Sequence, residues 1–164
     1  MQKRFDKGRW GIIAVLLAVA VLGYLWGRHW LADRLSTTPA VELAVPADCG
    51  LHRGPCEMRM PDDGRLRVEF SHEPVPLQPF RVQVHAPDRA FDAVTVDFQM
   101  VGMYMGVNRY TLTSQAEGLW SREVMLPVCA TGRSDWLMYL RLEAAGVAYV
   151  TALPFEAAAA REGR

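Results

Sequence analysis

The chain has 164 residues and a formal net charge of zero, with 18 Lys or Arg against 18 Asp or Glu. That length holds one domain plus an appendage, and the charge is unevenly spread. Lys3, Arg4, Lys7 and Arg9 crowd the first nine residues against Asp6 alone, whereas the stretch from Arg28 onward carries 14 Arg, 17 Asp or Glu and no Lys. A body with a net charge of −3 lacks the basic excess that phosphate neutralisation requires, so a nucleic-acid partner is not expected.

In chain order, residues 1–9 read as a short basic tail. Residues 10–27, "WGIIAVLLAVAVLGYLWG", contain no charged side chain. As a helix they reach roughly 27 Å, about the thickness of a bilayer hydrocarbon core. Trp10, Tyr24, Trp26 and Trp30 stand at the two ends, where amphipathic rings favour the interface. The four cations before the span outweigh Arg28 and Arg34 after it, which keeps the N-terminus cytoplasmic. A cleaved signal peptide fits less well, because the apolar run is long and bulky "GYLWGRHW" stands where small residues are needed. The expectation is a single-pass inner-membrane protein held in the lipid bilayer by residues 10–27, with its body in the bacterial periplasm. Disulfides form and persist there.

Residues 28–48 read as a stalk, and from Cys49 the pattern alternates with period two. The runs are 65–72, 80–86, 93–98, 108–114, 119–126, 136–144 and 147–153, separated by Gly, Pro and Asp clusters. Ala145-Gly146 marks a tight hairpin. Seven or eight short strands predict an all-β fold over 49–156, an antiparallel β-sandwich of immunoglobulin-like type, with Trp136 as the buried aromatic between its sheets. Residues 157–164 read as a flexible tail.

No phosphate loop, nucleophile elbow or zinc signature is present in the sequence, and no catalytic residue is assigned, so an enzyme is not expected. Ser71 and His72 read as neighbours on one alternating strand, which would send their side chains to opposite faces.

Cys49 and Cys56 flank "GLHRGP", a loop able to turn back on itself, and a disulfide between them is the expectation in an oxidising compartment. Pairing of Cys56 with Cys129, or a thiolate ligand role, stays open, since connectivity is not deducible from sequence. Cys129, in "LPVCATGR", reads either as a buried small hydrophobe or as a soft ligand.

The segment "MVGMYMG" places Met100, Met103 and Met105 within six positions, and a turn at Gly102 could gather all three. Thioethers select Cu(I) because both partners are soft and polarisable. The same residues also suit a core gap or an adaptable contact patch. Met58 and Met60, near Cys56, fit one strand face.

The run "VDFQMVGMYMGVNRYTL…GLWSREVMLPVCATGRSDW" (96–136) resembles small membrane-anchored proteins of Gram-negative bacteria similar to the FixH-like and YtkA-like families. The resemblance implies one N-terminal span, an exported β-sandwich, and a role in copper handling and cytochrome oxidase assembly. It maps Met100, Met103, Met105 and Cys129 onto the metal-binding motif, with Asn108 and Arg109 shaping the turn. The implied partner is a copper chaperone or an oxidase-assembly protein. A second expectation, from a different class, is a metal-free tethered scaffold that docks through the Met-rich turn.

Overall fold

The computed structural model describes Ile13 and residues 16–24, 38–129 and 131–158. The chain divides into two units between Thr37 and Thr38. In the first, Ile13 and residues 16–24 are helical, and their side chains are exposed. No helix among the described residues is long and apolar enough to cross a membrane. The remainder of the expected 10–27 span, the 1–9 tail and residues 28–37 lie outside the described residues.

The second unit is a sandwich of two five-stranded sheets. Its strands are β1 (Ala40–Glu42), β2 (Cys56–Arg59), β3 (Arg65–Phe70), β4 (Pro79–His85), β5 (Ala93–Met100), β6 (Arg109–Thr111), β7 (Thr113–Ala116), β8 (Leu119–Met125), β9 (Asp135–Ala144) and β10 (Val147–Glu156). The first sheet runs β1-β10-β9-β5-β6 and the second β2-β3-β4-β8-β7. All ladders are antiparallel except β1 on β10.

Alternation decides which side chains face in. In β5, Val94, Val96, Phe98 and Met100 are buried while the intervening residues are half-exposed. Phe80 from the second sheet meets Phe98 from the first edge-on at 6.0 Å, and Phe70 meets Phe155 at 5.2 Å. Trp136 is buried as expected and stacks on Phe155 at 6.4 Å. Rings this large contribute both buried area and specific geometry.

Several boundaries differ from the sequence reading. Ala40–Glu42, inside the expected stalk, is a strand, and Leu43 beside it belongs to the core. The stalk's Pro, Ser and Thr flanks disguise "AVELAV", whose alternation is too short to stand out. The run 108–114 splits between the sheets: β6 joins the first and β7 the second. Leu112, buried at the switch, donates its N–H to Val94 O at 2.8 Å. At the other end, Ala157 is buried and donates to Ser134 O, while Ala158 donates to Pro74 O, both at 2.9 Å. The packed chain therefore runs two residues into the expected tail, and residues 159–164 lie outside the described residues.

The sandwich has two poles. At one, Ala145-Gly146 turns with φ of 49° and 75°, the pair of positive values that a type I′ hairpin requires. The chain enters the sheet near here, where Ala148 N–H donates to Pro39 O at 2.9 Å. At the opposite pole lie the loops 71–78, 101–108 and 126–134, joined by Tyr110 Oη donating to Met125 O at 2.9 Å and by Leu77 N–H donating to Leu126 O at 3.0 Å. The ten residues of β10 separate the poles by roughly 30 Å.

Cys49 and Cys56 form the expected disulfide, with their Cα atoms 5.2 Å apart. Replacing both by serine is expected to lower the unfolding free energy by about 2–3 kcal/mol, read from urea denaturation. Gly118 supplies a sharper test. Its φ is 69°, and a Cβ there would stand 2.7 Å from Ala86 O and 2.8 Å from Pro87 Cα. Gly118→Ala should cost about 2 kcal/mol or more, because the obstructing atoms are backbone. Gly146→Ala, with an equally positive φ but nothing within 4 Å, should cost only about 1 kcal/mol.

Candidate functional site: the loop pole

Met100, Met103, Met105 and Cys129 all lie at the loop pole: Met100 at the end of β5, Met103 and Met105 on the loop 101–108, and Cys129 on the loop 126–134, with Val101 N–H donating to Asp135 O of β9 at 3.4 Å. Their surroundings differ. Met100 ends β5, is 3 % exposed and pairs with Trp136 in the ladder, so its thioether is part of the core. Met103 and Met105 are half-buried and pack against that core. Met58 and Met60 are buried core residues elsewhere in the sandwich.

The expected turn at Gly102 is present. Met103 N–H donates to Met100 O at 3.2 Å, and Gly102, third in the turn, has φ 71°, the positive value a type II turn needs there. Beyond the turn, one side chain holds the loop. Gln99 Oε1 accepts from Met105 N–H at 2.9 Å, and Gln99 Nε2 donates to Gly106 O and to Asp97 Oδ1, each at 3.0 Å. Asp97 in turn accepts from Arg109 Nη2 at 3.1 Å. The side-chain amide thus completes hydrogen bonds that strand pairing would otherwise supply.

Asn108 closes the loop. Its carbonyl accepts from Phe98 N–H at 3.0 Å and its side chain is buried, with Nδ2 lacking a partner among the described residues. Arg109 is exposed and paired with Asp97.

Cys129 is a free thiol, 9 % exposed, with Sγ 3.0 Å from Thr131 Oγ1. The Thr131 hydroxyl, its backbone N–H and the nearby Arg133 hold the thiol pKa below its ordinary value against the opposing effect of burial. Arg133 is itself engaged with Asp135, Nε to Oδ1 at 2.9 Å, and that pair draws the Asp135 carboxyl below its usual range. Among the described residues, no three His, Cys, Asp or Glu side chains gather into a metal-ligating group.

The feature that sequence reasoning missed is apolar and outward. Tyr104 is 78 % exposed and Val107 86 %, with Val101, Leu77, Met125 and Val128 also open to solvent. These six stand at the loop pole. The remaining exposed large apolar residue among the described part of this unit, Tyr139, lies on the outer face of the first sheet. The sequence signal was available: Val101, Tyr104 and Val107 alternate with the methionines and glycines of a segment too glycine-rich to be an ordinary strand.

Ser71 and His72 also depart from expectation. β3 stops at Phe70, the backbone bends, and Ser71 Oγ stands 2.9 Å from His72 Nδ1. Their side chains meet because the alternation assumed for 65–72 ends two residues earlier, at Phe70. Ser71 Oγ also accepts from Arg81 N–H at 3.0 Å, which ties the pair to β4.

Ten strands in two sheets define a β-sandwich with an apolar loop pole. No protein-family model matches this chain, and no curated protein matches it.

Gln99→Leu is expected to speed hydrogen exchange at the Met105 amide by about tenfold or more, as the loss of a half-buried hydrogen bond implies, while Phe98 keeps its protection. Cys129 alkylation should rise with pH through a midpoint below that of an ordinary thiol, since only the thiolate reacts. Thr131→Val should move that midpoint upward by removing the hydroxyl that stabilises the thiolate.

Proposed function

We propose that this is a single-pass inner-membrane protein whose periplasmic sandwich, of immunoglobulin-like type, docks through its loop pole onto an apolar surface of a membrane-associated partner complex. The observation that carries the reading is the gathering of six of the seven exposed large apolar residues of the described sandwich at one pole. Contiguous exposed apolar surface costs solubility and commonly marks an interaction site. Tyr104 is suited to an anchoring role, because tyrosine offers a large contact area with little rotamer entropy to lose. The Gln99 amide supports the same reading by holding the loop in one shape before a partner arrives, which lowers the ordering cost of binding. The charge asymmetry around residues 10–27 supports the membrane placement. The resemblance to FixH-like and YtkA-like proteins makes an oxidase-assembly complex or a copper chaperone the natural partner.

A second reading is supported by the same loop. Met103 and Met105 are half-exposed thioethers on a turn held by Gln99, and two such donors suit Cu(I) carried as cargo. Met100 and Cys129, at 3 % and 9 % exposure, would join a four-donor set only after the loops part. On this reading the copper site and the docking surface share one pole.

The two readings separate by substitution. Tyr104→Ser combined with Val107→Ser should weaken capture of the partner complex by about tenfold or more, with the melting temperature unchanged because both side chains stand in solvent. Met103→Leu combined with Met105→Leu should leave capture intact and, on the copper reading, abolish Cu(I) binding measured against a competing chelator. Unchanged capture in the first variant removes the docking proposal, and unchanged Cu(I) affinity in the second removes the copper one.

A further inference from the structure

Between Cys49 and Cys56 the chain serves the first sheet as a substitute for an edge strand. β1 covers β10 only from Ala148 to Val150, so the last part of that side of β10 has no strand beside it. Two groups of the intervening turn take its place. Leu51 N–H donates to Pro154 O at 3.4 Å, and Glu156 N–H donates to His52 Nδ1 at 3.2 Å. An imidazole nitrogen thus stands where a further strand would bring a carbonyl. The turn itself is fixed by other means: Arg53 N–H donates to Gly50 O at 2.8 Å, Leu51 is buried, and the disulfide closes the loop.

A carbonyl accepts at every pH, and an imidazole nitrogen does not. Nδ1 accepts only in the neutral ring with its proton on Nε2. When the ring takes up a second proton, Nδ1–H faces the Glu156 N–H and the bond is lost. The titratable and charged groups around it are Asp48 and Arg53 on its own segment, the Glu156 side chain, Asp135 opposite Glu156 in β9, and His72 and Glu73 on the loop that Ala158 reaches. Arg53 reaches the same space beside Gly50 as the His52 ring, and it donates to Asp48 O. Asp135 is paired with Arg133. Among the described residues, none of these acids forms an ion pair with the imidazole.

We propose that His52 is a pH-sensitive latch on the end of β10, closed while its imidazole is neutral and opened by protonation. The two residues after Glu156 stitch the loop pole together. Ala157 N–H donates to Ser134 O and Ala158 N–H to Pro74 O, both at 2.9 Å, which joins the loops 126–134 and 71–78. Loss of the Glu156 bond frees the strand end from which both stitches start, so acid loosens the two loops together. The latch depends on neither the docking nor the copper reading.

The test follows the full-length protein, solubilised in detergent, by NMR from roughly pH 8 to pH 5, the interval in which histidines ordinarily change charge. At the upper end the His52 ring should carry its proton on Nε2. As its Cε1 proton resonance titrates, amide-exchange protection at Glu156, Ala157 and Ala158, corrected for the intrinsic rate at each pH, should fall about tenfold or more with the same midpoint. Ala148, bonded to Pro39 O at the other end of β10, should keep its protection. His52→Asn, which cannot titrate, should remove the pH dependence at all three amides. Constant protection at Glu156 through the imidazole titration, a neutral ring protonated on Nδ1, or a pH dependence that survives in His52→Asn would each overturn the latch. A response confined to Glu156 would overturn its link to the loop pole.

Discussion

The contact on which the rest depends is the packing of aromatic rings between the sheets. Phe80 meets Phe98, and Phe70 and Trp136 both meet Phe155, at centroid distances of 5.2–6.4 Å. These rings come from β3, β4, β5, β9 and β10, so one cluster sets the separation and the relative rotation of the two sheets. It also lies directly beneath the loop pole, since Phe70, Met100 and Trp136 all stand at strand ends there. Interiors this closely packed transmit displacement, so the loops above inherit the order of the rings below. The Met-rich turn is an extension of that packing outward: Met100 belongs to the core, Met103 and Met105 lean on it, and Tyr104 and Val107 leave it.

Polar groups add what packing cannot. Gln99 lies on the outward face of β5, yet its amide curls back to hold the loop that follows its own strand. Asp97 and Arg109, opposite each other in the β5–β6 ladder, continue the chain of contacts along that face. An exposed ion pair of this kind contributes little to stability. Its geometry nonetheless holds Asp97 where Gln99 can donate to it, so its effect is on position more than on free energy.

Much of the sandwich was legible because alternation is a local property. The runs in β3, β4, β5, β9 and β10 each show it over six or more residues, and the Ala145-Gly146 hairpin announces itself by residue type. Topology was less legible. Nothing in "NRYTLTS" marks Leu112 as the place where the chain leaves one sheet for the other, because alternation continues through it. β1 was hidden by being three residues long and flanked by stalk-like composition. The Ser71–His72 contact was missed because a strand's last residue is set by its partner, here β4, and not by its own sequence. At the pole, sulfur chemistry drew attention to the methionines, while the solvent exposure of Tyr104, Val107 and Leu77 depends on which neighbours fail to cover them. That absence is a tertiary property.

The short parallel strand β1 has a mechanical consequence. Tension applied to the chain at Thr38 would run along β1, whose hydrogen bonds to β10 lie across the direction of pull and share the load in shear. Should those bonds give way, the chain would pay out only as far as Cys49, because the disulfide fastens it to Cys56 at the head of β2. A domain built this way would give up β1 and the core contact of Leu43 before a tug reached the aromatic rings.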